Sequence, residues 1–106
     1  MDDKEFQDHA AAALEDLYDR LGRATEDHPL EADFNAGALA IEFEDSPAKF
    51  VVSPNAPVKQ IWVSAHMKSY KLDWDPARKA FVTNGQTLCE LIADAIAKQL
   101  GTPVEL

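Results

Sequence analysis

The apolar residues of this chain change their period twice. Over residues 3–22, Phe6, Ala10, Ala13, Leu14, Leu17 and Leu21 recur at helical spacing and make one stripe. Between Leu30 and Thr83 the repeat shortens to two, the period of half-buried strands. From about Gln86 to Leu100 the helical period returns, with Leu88, Leu91, Ile92, Ala95 and Ile96 on one side. A striped helix and a one-sided sheet must each bury the apolar face against another layer. A chain of 106 residues supports one core. The order helix, strands, helix therefore predicts an α+β domain over residues 1–106. It is a two-layer sandwich: an antiparallel sheet of about six strands, with the N- and C-terminal helices packed on one face.

The strands are expected at Leu30–Phe34, Ala38–Glu44, Lys49–Ser53, Val58–Ala65, Ser69–Trp74 and Lys79–Thr83. Leu30, Ala32 and Phe34 share one face of the first, and Tyr70, Leu72 and Trp74 share one face of the fifth. Gly22 is expected to end the first helix, and Gly101 with Pro103 to stop the last. Thr87 and Glu90 fit a capping box at the start of the last helix, with Asn84 as a competing cap.

In the strand Val58–Ala65, alternation puts Ile61, Val63 and Ala65 on one face and Gln60, Trp62 and Ser64 on the other. The largest side chain thus points away from the core. Periodicity alone leaves Trp62 evenly divided between an indole covered by its neighbours and an anchor for a partner.

The formal net charge is -9, which disfavours nucleic acid, since there is no basic footprint to displace counterions. Residues 1–45 hold 14 acidic and 3 basic side chains; residues 46–106 hold 5 acidic and 7 basic. Charge so concentrated is more than a solubility device. No apolar run reaches the length of a membrane span, and the acidic N-terminus does not read as a signal or transit peptide, so a cytoplasmic location without membrane contact is expected. Cys89 is the only cysteine, which rules out an intramolecular disulfide; its place mid-helix beside the stripe reads as a buried, inert thiol. His9, His28 and His66 match no zinc spacing and read as surface residues. No nucleophile elbow and no phosphate loop is present, so an enzyme is not expected.

What remains is an acidic surface. Glu5, Asp8, Glu15, Asp16 and Asp19 share the polar side of the first helix, Glu26 and Asp27 follow in the loop, and Glu31 and Asp33 face outward from the first strand. A charge run is usually a solvated face, but few Lys or Arg compensate this one. Carboxylate oxygens are hard ligands, suited to Mg²⁺, Ca²⁺, Mn²⁺ and iron, and an open ridge would hold them weakly. The same ridge could dock on a basic patch of another protein.

The stretch Pro57-Val58-Lys59-Gln60-Ile61-Trp62-Val63-Ser64, the later Tyr70-x-x-x-Trp74, Asn35-x-Gly37-x-Leu39-x-Ile41 after an acidic helix, and Gly85-x-Thr87-Leu88 before the last helix occur in this order. Together they make the whole chain resemble the frataxin family, in its bacterial branch. The resemblance implies weak binding of iron (Fe²⁺ or Fe³⁺), or of other divalent cations, and a role in iron–sulfur cluster assembly. It implies cysteine desulfurase and the iron–sulfur scaffold protein as partners of a monomer, with an iron-storing or ferroxidase-type oligomer as the alternative. Carried over, the metal-binding residues are Asp3, Glu15, Asp16, Asp19, Asp27, Glu31 and Asp33, joined by Asp8 of the same helix face; the partner-binding residues are Lys59, Gln60 and Trp62. Beside this pattern Trp62 reads as an anchor. The chain departs from the family at Gly22 and Arg23, which interrupt the acids, and at Gln7, Pro29 and Val58. Little chain follows Gly101, and since the family's tail can cover the groove between the helices, modest stability is expected.

Overall fold

The computed structural model describes residues 1–106. It contains α1 (Asp3–Ala24), β1 (Leu30–Asn35), β2 (Ala38–Phe43), β3 (Ser46–Asn55), a 3-10 turn (Ala56–Val58), β4 (Gln60–Ala65), β5 (Lys68–Asp75), β6 (Ala80–Thr83), β7 (Gln86–Thr87) and α2 (Leu88–Leu100). The strands form one antiparallel sheet in sequence order, β1 to β7, so β4 is central and β1 and β7 are the edges. Short hairpin turns produce this order, because each strand can pair only with its sequence neighbours.

Both helices cover one face of the sheet. Phe6, Ala10, Leu14, Leu17 and Leu21 of α1 and Leu88, Leu91, Ile92, Ala95 and Ile96 of α2 meet the inward residues of β1–β6 in one buried cluster. Leu39, Ile41, Val52, Ile61 and Leu72 are fully buried there, and no polar residue is. The two-layer α+β arrangement expected from the periodicity is the observed one. No helix is long and apolar enough to cross a membrane.

Several boundaries differ from the expectation, each for a local reason. Gly22 does not end α1: the helix runs on to Ala24, whose buried side chain continues the stripe, and Thr25 closes the end by donating its hydroxyl to the Gly22 carbonyl at 2.7 Å. Nothing lies within 4 Å of a Cβ built on Gly22, and its φ is not positive. Gly22→Ala is therefore expected to stabilise the fold by about 0.5–1 kcal/mol in urea unfolding, because alanine loses less backbone entropy in a helix. An unchanged or lower midpoint would count against this.

Val58 and Lys59 are not strand. Pro57 sits in the first turn of the 3-10 segment, where its fixed φ is tolerated. Lys59 closes that turn in the left-handed region, at φ 54°. Strand β3 is ten residues long rather than five and takes in Pro47 and Pro54. The seventh strand was not expected. Asn84 and Gly85, both at positive φ, turn β6 into β7, with Thr83 opposite Gln86. Asn-Gly between short strands is a strong hairpin signal, and Asn84, the competing cap, is a residue of that turn. The actual cap is the expected capping box: Glu90 N–H donates to the Thr87 hydroxyl at 3.3 Å, and Thr87 N–H to the Glu90 carboxylate at 3.0 Å. These bonds hold the exposed Glu90 carboxyl below its usual range.

Phe34 does not follow Leu30 into the core. It lies near the far end of an edge strand and is 46% exposed. The residues after α2 turn back onto the protein: Val104 is buried in the core cluster, and Leu106 lines the groove between the helices beside Cys89.

Candidate functional site

The carboxylates read as one ridge fall into distinct settings. Asp3, in the first turn of α1, accepts a hydrogen bond from Lys59 Nζ at 3.0 Å. This pair joins the start of α1 to the turn before β4. It sets Lys59 apart from Gln60 and Trp62, and it gives Asp3 a cation of its own. Asp16 leans toward α2. It accepts from Arg20 Nε at 2.9 Å, one helical turn on, and lies 3.9 Å from Cys89 Sγ. That pairing holds the Arg20 guanidinium above its ordinary range.

Cys89 is half-buried rather than buried. Burial pushes its thiol up; Arg20 opposes this, and Asp16 and Glu90 add to it. Only the thiolate is nucleophilic. Alkylation by iodoacetamide at pH 8 is expected to be slower for the folded chain than in urea, and to go on rising above the pH where the unfolded chain levels off. Coincident pH–rate profiles would overturn this.

Asp19, Glu31 and Asp33 do come together. They line a shallow depression between the end of α1 and β1, with Tyr18 and Gly22 forming part of its wall. The depression also takes in Glu44, which the sequence did not single out. Glu44 arrives because Leu30 pairs with Phe43, and because the Glu44 N–H donates to the Pro29 carbonyl at 3.1 Å. The β1–β2 register is what puts it beside Glu31. No Lys or Arg lines this depression.

Glu15 lies one turn before Asp19 on α1 and edges a separate apolar hollow. Asp8 is exposed on the outer crest of α1, and Asp27 is exposed in the turn after it. No three His, Cys, Asp or Glu side chains converge closely enough to hold one ion between them. What the surface offers is an open array of hard oxygen donors.

Trp62 lies on the uncovered sheet face, at the central strand. Its indole N–H donates to Gln60 Oε1 at 3.0 Å, and Gln60 Nε2 donates to Asp73 Oδ1 at 3.0 Å. Lys71 Nζ stands 5.1 Å from the ring centroid. Cross-strand pairing explains both neighbours, since Gln60 faces Asp73 and Trp62 faces Lys71. The indole is held in place, yet 38% of the residue remains exposed. Asp73 and Lys71 were not legible as parts of this site before the β4–β5 register was known. Glu31 and Asp33 share this outer face, reached through Glu42 and Ala40 and then Lys49 and Val51.

The histidines are not simply surface residues. His9 stacks on Trp74 at 3.9 Å between ring centroids. His66, in the β4–β5 turn, lies with its Nε2 at 2.9 Å from the Ala95 carbonyl of α2. Both tie the helix layer to the sheet. His28 is half-buried in the turn before β1.

Comparison with known proteins gives a consistent pattern. The sequence model of the frataxin-like domain matches residues 1–102. A Tolumonas auensis protein named iron–sulfur cluster assembly protein CyaY is 30% identical over 108 residues, covering 100% of this chain and 99% of that one. A Janthinobacterium protein of the same name is 33% identical, over 93% of this chain and 84% of its own. An Azotobacter vinelandii protein, also of that name, is 28% identical over 87% and 86%. Among solved structures, a frataxin from Psychromonas ingrahamii superposes with a TM-score of 0.76 at 23% identity, covering 99% of this chain and 97% of that one.

Proposed function

The chain belongs to the frataxin-like family, and from that premise we propose that it acts in iron–sulfur cluster assembly, in the bacterial cytoplasm, as a non-catalytic partner of the cysteine desulfurase and the scaffold protein. The observation that carries this reading is the depression lined by Asp19, Glu31, Asp33 and Glu44 without a compensating cation. Uncompensated carboxylates attract a basic protein surface and speed encounter with it. They also attract iron, which in this reading is cargo. An open set of carboxylates, with water completing the shell, binds a cation weakly and releases it readily. Of the eight candidate metal residues, Asp19, Glu31 and Asp33 form the centre of this site. Asp8, Glu15 and Asp27 stand outside it as separate exposed carboxylates, while Asp3 and Asp16 are already paired with Lys59 and Arg20. Gln60 and Trp62 make a second contact on the sheet face.

Two measurements test the reading. Purified cysteine desulfurase should bind the chain with an affinity that falls steeply as salt rises. Titration with Fe²⁺ should shift backbone NMR signals of Asp19, Glu31, Asp33 and Glu44 before any others. If the desulfurase does not bind, the partner role fails. If iron moves no signals on α1 or β1, the cargo role fails.

Trp62→Ala is expected to weaken desulfurase binding about tenfold or more, as loss of an aromatic anchor does. Its cost in stability should stay near 1 kcal/mol or below, the scale of one cation–π contact and a partly exposed ring. A large stability loss with intact binding would assign Trp62 to packing alone.

A further inference from the structure

An exposed apolar surface adjoins the acidic depression. Tyr18 of α1 and Phe34 of β1 lie with ring centroids 5.0 Å apart and are 38% and 46% exposed. Beside them is a hollow of about 420 Å³ between α1 and the β1–β2 turn. Buried Phe6, Ala10 and Leu14 lie beneath it, and Phe34 and Pro54 form its sides. Ala11 and Gly37 stand on its rim and are too small to close it. The only charged residue lining it is Glu15. Tyr18 belongs to the wall of the acidic depression, so the two rings separate the hollow from Asp19, Glu31 and Asp33. The lysine of the neighbouring 3-10 turn, Lys59, is held by Asp3.

An exposed apolar pocket rimmed by one sign of charge has the anatomy of a protein docking site. Phe34, Pro54 and the small rim residues supply a slot for one large side chain. Glu15 at its edge and the carboxylates of the depression beyond the two rings favour cations in the residues that flank it. A neutral or acidic occupant would leave Glu15 and Asp19 facing it without a partner.

We propose that this hollow is the anchor pocket of the docking surface and takes one aromatic or aliphatic side chain from a partner protein segment in which that residue is flanked by lysines or arginines. This deepens the docking reading given above and rests on it for the partner's basic character. The acids then draw the segment in, and the hollow selects the segment by its apolar residue. Charge alone would not distinguish one basic surface from another.

The test compares two peptides of equal charge, acetyl-KKFKK-amide and acetyl-KKSKK-amide, in NMR titrations of the whole chain. The phenylalanine peptide is expected to bind at least about tenfold more tightly, the scale of one well-buried anchor. It should shift the Ala11, Phe34 and Gly37 amides, whereas the serine peptide should shift only those around Asp19 and Asp33. Phe34→Ser and Ala11→Gln both alter exposed residues, and each should erase the difference between the peptides while leaving the binding of the serine peptide unchanged. Equal affinities, or shifts confined to the acidic depression with both peptides, would overturn the proposal. So would concentration-dependent shifts of the hollow's amides in the free protein, which would give the pocket to a second copy. Failure of cysteine desulfurase to bind the unmodified chain would instead overturn the partner role, since the peptides probe the hollow by themselves.

Discussion

Replacing Asp19, Glu31 and Asp33 together by lysine is expected to weaken desulfurase binding on the order of 100-fold. Each reversal turns attraction at a solvated rim into repulsion, worth about 1 kcal/mol. Three of them give about 3 kcal/mol, or roughly two decades in affinity. The remaining binding should depend less steeply on salt than that of the parent chain. The fold should not suffer. Glu31 lies directly across the β1–β2 ladder from Glu42, a like-charge pair, and lysine at position 31 would turn it into an opposite-charge pair. Cross-strand charge pairs are worth about 0.2–1 kcal/mol, so the unfolding midpoint should hold or rise slightly. Loss of binding with a retained midpoint separates docking from folding. Affinity within about threefold of the parent would remove the depression from the partner surface. The same variant should also lose the iron-induced shifts on β1, because the three oxygen donors are replaced by cations.

The second large effect concerns the fold. Phe81→Ala is expected to cost about 3–5 kcal/mol, the usual range for emptying a buried phenylalanine site. Phe81 is 1% exposed and stands at the centre of a run of rings. It meets Phe6 of α1 edge-on at 5.8 Å and Trp74 of β5 at 5.2 Å, and Trp74 in turn stacks against His9 of α1. Such edge contacts add about 0.5–1.5 kcal/mol beyond area burial. Truncation at this position therefore releases the N-terminal half of α1 from the sheet at the same time as it opens a cavity. Domains of this size hold about 5–15 kcal/mol in total, so the variant should be close to its folding limit at 37 °C. Urea unfolding of Phe81→Ala beside Phe81→Leu measures the effect, with the leucine variant expected to lose much less. A cost below about 1.5 kcal/mol for the alanine variant would mean that the ring cluster does not fasten the two layers. Because Phe81 lies far in the fold from Asp19 and Glu31, desulfurase binding by the folded fraction should be unchanged.

The two positions also show how far the sequence could be read. Residue 81 was recognisable as strand from its short apolar run. Its role as a junction was not, because Phe6 reaches it from α1, far away in the chain, and Trp74 meets it only through the β5–β6 register. Trp74 itself was expected on the face of Leu72, and it is there, but half-buried under His9 rather than packed like Leu72. Strict alternation puts Phe34 on the face of Leu30, and it is there, but exposed. Alternation fixes which face a side chain takes, not how fully that face is covered: Phe34 lies alongside α1 against Tyr18, but Ala11 and Gly37 leave a hollow beside it. The seventh strand and the continuation of α1 past Gly22 arise because the pairing and packing of the surrounding residues outweigh the preference of a single one.

The acidic surface divides in the same way. Its existence, its place in the first half of the chain and the outward direction of Trp62 follow from composition and period, which are local properties. Charges one helical turn apart, such as Asp16 and Arg20, were also within reach. The pairing of Asp3 with Lys59, the arrival of Glu44 beside Glu31, the support of Trp62 by Lys71 and Asp73, and the hollow beside Phe34 were not. Each depends on which strand lies against which and in what register, and on where the packed helix ends. The sequence by itself determined the layers, the helix stripes, the faces of the strands and the sign of the charge, because those depend on neighbours three or four residues away at most. Only the tertiary structure decided which carboxylates stand free together and that Asp3 is neutralised by Lys59, because strand register and helix packing join residues tens of positions apart in the chain.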